Sequence, residues 1–212
     1  GQYLLAASGH EVLPLGRGDD TTYDWSDASL ERGVEESDAV VHLAGENLFA
    51  RRWSAAQKER IRASRVDSSR RLAEALARKG SGVFVGGSAV GYYGPRGDEA
   101  IDESAPAGDD FLARVCSEWE RAALDVLEGS AVRVAHVRTG VVLGADGGAL
   151  KLMRLPFSLG LGGPVGSGRQ VFPWIHLQDL ARLFAFLLEQ PEASGPFNGT
   201  APGLVSSAEF AR

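Results

Sequence analysis

The stretch "GVFVGGSAVGYYG", residues 82–94, decides the fold. Val83-Phe84-Val85 is an apolar, β-branched and aromatic run, the composition of a strand buried on both faces. Two glycines follow, then Ser88, a small-residue turn, Tyr92 and Tyr93. A hydroxyl where a buried strand ends is a common way to build a site, since ligands of open parallel sheets bind beyond the carboxyl ends of the strands. On the N-terminal side, "SAAQKERIRASRVDSSRRLAEALARKG" (54–80) predicts a long amphipathic helix. Ser54 is its N-cap, Ile61, Val66, Leu72 and Leu76 recur at helical spacing, and Gly80 ends it. Before it, "LERGVEESDAVVHLAGEN" (30–47) predicts a short helix, a buried strand Ala39 to Leu43 and a small-residue turn at Ala44-Gly45. On the C-terminal side, "DDFLARVCSEWERAALDVLEG" (109–129) predicts a helix capped by Asp109 or Asp110 and ended by Gly129. "AVRVAHVRTGVVLG" (131–144) reads as one further strand. Strands that are short, apolar and bounded by glycine alternate with helices. That pattern predicts an α/β fold: a doubly wound parallel sheet with helices on both faces.

The two ends of the chain are less regular. "QYLLAASGHEVLPLGR" (2–17) reads as a helix end, a stop at Gly9 and a strand from His10 to Leu15. A polar loop, "GDDTTYDWSD" (18–27), follows. Past Gly144 we expect a short helix, a glycine-rich loop, a helix over "LQDLARLFAFLLEQ" (177–190) and a closing strand and turn in "GPFNGTAP" (195–202). Residues 1–150 are expected to form a nucleotide-binding core, and 151–212 a smaller substrate-side lobe that is not an independent domain. No G-x-G-x-x-G or G-x-x-G-x-x-G precedes a helix, so the first strand and its phosphate-binding loop are expected to lie before residue 1. The ending Glu209-Phe210-Ala211-Arg212 reads as cut within a helix.

Composition narrows the function classes. A net charge of −6 argues against wholesale nucleic-acid or membrane-surface binding, and no apolar run reaches the ~20 residues of a membrane helix. One cysteine, Cys116, leaves no internal disulfide and no cysteine-built metal site, so a reducing, cytoplasmic location fits. His10, His42, His136 and His176 show no His-x-x-x-His spacing, so no metal is expected. "GGSAVG" lacks the G-x-S-x-G of a hydrolase nucleophile elbow. The run "LGLGGPVGSGRQ" (159–170) lacks the Lys-Ser/Thr of a P-loop.

Four stretches together, "HEVLPLGR", "DAVVHLAGEN", "VFVGGSAVGYYG" and "WIHLQDLARL", resemble the extended short-chain dehydrogenase/reductase superfamily of NAD-dependent epimerases and dehydratases. "AGENLFARRW", "SAVGYYG", "RTGVVLG", "LGLGGPVGSGRQ" and "PWIHLQD" look more narrowly like an atypical subgroup, known as nucleotide-sugar epimerase-like or SulA-like proteins. The resemblance implies a Rossmann-type core with a small C-terminal substrate lobe. It also implies an NADP cofactor, with NAD the less expected alternative. The reaction implied is oxidoreduction or hydride-dependent isomerisation of a small or nucleotide-linked substrate. The rival reading is a non-catalytic NADP-binding regulator linked to cell division. A homodimer stays open.

The resemblance also implies residue roles, each beside a plainer reading. Arg17 stands where the superfamily faces the adenosine 2′-position, and an arginine there pairs with the 2′-phosphate of NADP; otherwise it is a solvated surface residue. Asp24 and Trp25 lie where relatives line the adenine pocket. Ala44 and Gly45 let backbone approach the cofactor's ribose and phosphates. Arg138, Thr139 and Gly140 follow a strand near the nicotinamide end in relatives, with strand-end packing as the alternative. Ser88 matches the hydroxyl that touches the reacting oxygen. Its usual Tyr-x-x-x-Lys partners are missing: no tyrosine (3, 23, 92, 93) stands four residues before a lysine (58, 79, 151). Cys116 and Glu120 occupy that spacing on the expected helix. Candidate proton donors are therefore Tyr92 or Tyr93, then Glu46, then Cys116, whose plainer reading is an inert buried thiol. Trp119 reads as core. Asn47, Arg51 and Arg52 at the cleft rim and Arg169 in the glycine-rich run are candidate substrate contacts for a carboxylate or phosphate, against ordinary surface charge. His176 and Asp179 match a segment that ties lobe to core.

Overall fold

The computed structural model describes residues 9–97, 99–144, 166–203 and 205–211, together with residues 6, 150 and 163. Its elements are α1 (Asp27–Glu35), β1 (Ala39–His42), α2 (Ala55–Lys79), β2 (Val83–Ala89), a 3-10 turn (Val90–Tyr93), α3 (Phe111–Leu127), β3 (Arg133–Thr139), β4 (Val141–Gly144), β5 (Trp174–His176), α4 (Leu177–Glu189), β6 (Gly195–Gly199) and α5 (Ser207–Phe210). The strands β1-β2-β3-β6 form one sheet in that order, all parallel, and β4 pairs with β5 in a second, two-stranded parallel sheet.

Local chemistry starts and stops the helices where the residues require it. Ser54 accepts a hydrogen bond from the Gln57 amide at the start of α2, and Asp110 does the same from the Ala113 amide at α3. Gly80 ends α2 with φ of 76°, a conformation that costs a residue with a Cβ about 1 kcal/mol or more. Ser206 and Glu209 form a reciprocal capping box on α5.

Two apolar layers follow from alternation along the strands. On one face Phe84 and the neighbouring Val40 and Val134 meet Leu30 and Val34 of α1, Leu72 and Leu76 of α2, and Ala123 and Leu127 of α3. On the other, Val85, Ala135 and Val137 meet Phe184, Ala185 and Leu187 of α4. This is the three-layer sandwich of an α/β fold, with the sheet buried on both sides.

Two sequence expectations change. The single strand expected over 131–144 is two strands, broken at Gly140. A Cβ there would stand 2.8 Å from the carbonyl oxygen of Pro173, so only glycine lets the chain pass from the first sheet to the second. His10 to Leu15, expected as a strand, forms no ladder; its single bridge joins Leu15 to Tyr23. Extended backbone becomes a strand only where a neighbour supplies hydrogen bonds. Here a groove of about 670 Å³ separates residues 9–15 from β1, lined by Val12, Pro14, Ala39, Val41 and Ala44 among others. The short helix expected just after Gly144 and most of the glycine-rich loop lie outside the described residues. No helix among the described residues is long and apolar enough to cross a membrane.

Candidate functional site

The carboxyl ends of β1, β2 and β3 gather the chemistry-bearing side chains between α2 and α3. At their centre is a buried ion pair. Glu120 of α3 and Arg138 of β3 have side chains 7% and 4% exposed. Arg138 donates Nε to Glu120 Oε1 and Nη2 to Oε2, both at 2.9 Å, a fork matched to a carboxylate. Ser88 donates its hydroxyl to the same Oε1 at 2.6 Å. Arg138 Nη1 donates to Tyr93 Oη at 3.0 Å and to the Glu103 carbonyl at 3.1 Å. The Tyr93 hydroxyl passes its own proton to Asn198 Oδ1 at 2.7 Å. Four of the five N–H groups of Arg138 are thus occupied. Burial works against its charge, but the Glu120 and Tyr93 hydrogen bonds outweigh that and raise its pKa above the usual arginine value. The Tyr92 ring lies 3.5 Å beneath the guanidinium, and its hydroxyl has no hydrogen-bond partner among the described residues.

The structure brings Ser88, Tyr92, Tyr93 and Arg138 together around Glu120. The protons of Ser88 and Tyr93 are directed inward at the network. Glu120 appeared in the sequence only as half of a spacing; a carboxylate four residues after buried Cys116 and three before buried Ala123 is the signal for a paired interior charge.

A second buried group lies beside β1. His42 is 2% exposed and takes three neighbours. The Trp119 indole, which can only donate, approaches Nδ1 at 3.4 Å, and Ser69 Oγ lies 3.1 Å from the same nitrogen. Nδ1 is therefore the bare acceptor, and Nε2–H donates to Ser68 Oγ at 2.9 Å. The Ser68 proton goes on to the Ser64 carbonyl at 2.7 Å. Burial lowers the His42 pKa to about 4, consistent with this neutral tautomer, and lowers that of buried His136 to about 4 as well. Cys116 is buried, and burial followed by the Glu120 charge pushes its thiol up to about 11. A thiol so held is protonated at neutral pH and is a poor proton acceptor or nucleophile.

The remaining expected residues frame the cleft. Glu46, half-buried just after β1, receives Gln57 Nε2 at 3.3 Å, while its amide donates to Ser64 Oγ at 2.9 Å. Asn47 turns its Oδ1 back to the Phe49 amide at 2.8 Å. Arg51 and Arg52 are exposed, as are Arg17 and Arg169. Trp53, capped by a Leu48 carbonyl, stacks edge-on with Phe111, and Phe49 stands 82% exposed beside it. Asp24 is taken up locally, accepting from Ser26 at the start of α1. Trp25 is half-buried under the Arg71 guanidinium and lines the groove along β1. Thr139 donates to the Val137 carbonyl, and Gly140 lies against Pro173. His176 caps α4, accepting from the Gln178 amide, and Asp179 pairs with Arg182 on the surface. Among the described residues no three His, Cys, Asp or Glu side chains are placed to hold a metal ion.

The model of the NAD dependent epimerase/dehydratase family matches residues 3–198. The chain belongs to that family. It is 44% identical over 217 residues to epimerase family protein SDR39U1 of Bos taurus, covering 99% of this chain and 72% of the bovine protein. The crystal structure of human epimerase family protein SDR39U1 with NADPH superposes with a TM-score of 0.91 at 40% identity, over 99% of this chain and 72% of that one. A nucleoside-diphosphate sugar epimerase from Corynebacterium glutamicum gives 0.82 at 38% identity, over 98% of this chain and 44% of that larger one. As a member of this family the chain has an epimerase-like, NAD(P)-binding Rossmann fold of the short-chain dehydrogenase/reductase type.

Proposed function

We propose that this protein is an NADP-binding reductase or epimerase-like oxidoreductase acting on a small or nucleotide-linked substrate. The observation that carries the choice of NADP is Arg17. It is exposed, it lies two residues after the run Gly9–Leu15 that lines the groove along β1, and it has no acidic partner among the described residues. An unpaired arginine there is free to take a 2′-phosphate, and the human relative was crystallised with NADPH. Of the candidate proton donors, Tyr92 has the uncommitted hydroxyl; Ser88 and Tyr93 donate to Glu120 and Asn198. Tyr92 is therefore the proton donor of this reading, and Ser88 and Tyr93 hold the wall behind it. The exposed Arg51 and Arg52 supply a positive rim for an anionic substrate.

The same inward-facing hydroxyls favour a second reading, an NADP-binding regulator without turnover. Fluorescence titration of the full-length protein with NADPH and NADH, on wild type and Arg17→Ala, tests the cofactor. Weakening of NADPH by about tenfold or more, with NADH little changed, is the expected outcome; equal loss of both, or none, refutes the role of Arg17. Consumption of bound NADPH with a panel of carbonyl substrates separates enzyme from regulator.

A further inference from the structure

Arg65 is a half-buried cation that forms no ion pair with any described residue. It sits on α2 four residues after buried Ile61 and four before buried Ser69, so its stem follows the buried face of the helix. Its guanidinium reaches the end of β1. A Cβ on Gly45 would stand 2.8 Å from Cζ and 3.0 and 3.1 Å from the two terminal nitrogens, so the guanidinium packs directly against the Gly45 backbone and a larger residue there would make it shift. Trp119 covers one face, its ring centroid 5.3 Å from Cζ. Nη1 donates to the Ile61 carbonyl at 3.0 Å. Among the described residues that is the one hydrogen bond Arg65 makes, and no carboxylate of theirs lies within 4.0 Å of its guanidinium.

Other arginines drawn into the body of the protein are matched. Arg138 has Glu120, and Arg133 has the carbonyls of Ala193 and Leu188. Arg71 has Asp27 and the Trp25 carbonyl. A half-buried guanidinium with most of its N–H groups unmet is costly unless a ligand completes it. Burial lowers its pKa, opposed at neutral pH by the nearby Glu46 carboxylate, which makes no hydrogen bond or ion pair with it of the kind Glu120 makes with Arg138.

We propose that Arg65 is an anion-binding residue that takes a phosphate oxygen of the ligand at the end of β1, through the Nε and Nη2 edge that the protein leaves open. This rests on the reading of the cleft as a dinucleotide and substrate site. The phosphate belongs either to the dinucleotide or to a substrate diphosphate, and the rigid platform of Gly45 and Trp119 suits either.

The test uses full-length protein, as wild type, Arg65→Gln and Arg65→Lys, with inorganic pyrophosphate and NADPH as probes. Binding of NADPH alone, of pyrophosphate alone, and of pyrophosphate at saturating NADPH are measured by calorimetry. Arg65→Gln is expected to weaken at least one probe tenfold or more, with Arg65→Lys recovering part of the loss. A loss confined to NADPH assigns the cofactor's phosphates; a loss of pyrophosphate on the NADPH complex assigns the substrate side. Thermal melting of the ligand-free variants guards against a merely structural role: removing an unmatched charge is expected to leave Tm unchanged or raised. Wild-type NADPH binding with no change on Arg65→Gln in any arm overturns the assignment while the cofactor reading stands. Pyrophosphate binding that depends on Arg65, without NADPH binding, overturns the cofactor reading instead. A wild type that binds neither probe overturns both, and a fall in Tm with unchanged binding makes Arg65 structural.

Discussion

Glu120→Gln is the most informative single perturbation of the interior. The carboxylate accepts three hydrogen bonds, two of them charge-assisted from Arg138 and one from Ser88. After the change, Arg138 keeps only neutral acceptors, Tyr93 Oη and the Glu103 carbonyl, and an amide NH₂ is forced toward one of its own N–H groups. Removing one member of a buried pair costs about 3–5 kcal/mol, because the other charge stays desolvated. That is a large share of the roughly 5–15 kcal/mol by which a domain is stable. With a urea m-value of about 2–3 kcal/mol/M, the midpoint should fall by roughly 1–2.5 M at unchanged m. Equilibrium urea unfolding at pH 7 followed by tryptophan fluorescence reads it. The double variant Glu120→Leu/Arg138→Met should regain most of the loss, since apolar replacement of a whole buried pair is often neutral or better. A midpoint shift below about 0.3 M for the single variant, less than ~1 kcal/mol, would refute the reasoning. It would mean that water reaches the pair and screens it.

Two further expectations follow from the buried groups. His42 and His136 have folded pKa values of about 4, below the ordinary histidine value, so the unfolded chain takes up protons first as pH falls. Their contribution is fully present above about pH 6.5 and lost as pH drops toward 4, on the order of 3 kcal/mol for each. Urea midpoints that stay flat between pH 7 and 4.5 would contradict this. Cys116, raised to about 11 and buried, should resist a thiol reagent at pH 7.5 in the native state and react stoichiometrically in denaturant. Native labelling at the rate of a free thiol would show an open, ionised sulfur instead.

The helices were legible because each carries its own local instructions. Ser54, the apolar spacing from Ile61 to Leu76, and Gly80 mark α2 without help from the rest of the chain. Gly140 was not legible as a break, because valines continue on both sides and the reason for the break is the carbonyl of Pro173, far along the chain. His10 to Leu15 has strand composition, but a ladder needs a partner that composition cannot report. In the candidate site the sequence pointed to Ser88, Tyr92 and Tyr93; Ser88 stands one residue before the end of β2, and the two tyrosines close the 3-10 turn after it. It did not reveal which way their protons face, since that depends on Glu120, Arg138 and Asn198 from three other elements. Arg65 stands among Arg60, Arg62, Arg70 and Arg71, and residue type alone does not separate it from them. Its helical phase, in line with Ile61 and Ser69, is what sets it apart.

The polar cluster has a consequence for how the last strand finds its place. β6 is five residues, Gly-Pro-Phe-Asn-Gly, with glycine at both ends and little apolar alternation to align it. A slide of one position along β3 would bring Phe197 to where the Asn198 side chain now accepts from Tyr93, and its ring offers no such acceptor. The Tyr93 hydroxyl would be left without its acceptor. The cluster therefore acts as an alignment pin: it penalises the neighbouring misalignment that hydrophobic burial alone would scarcely distinguish.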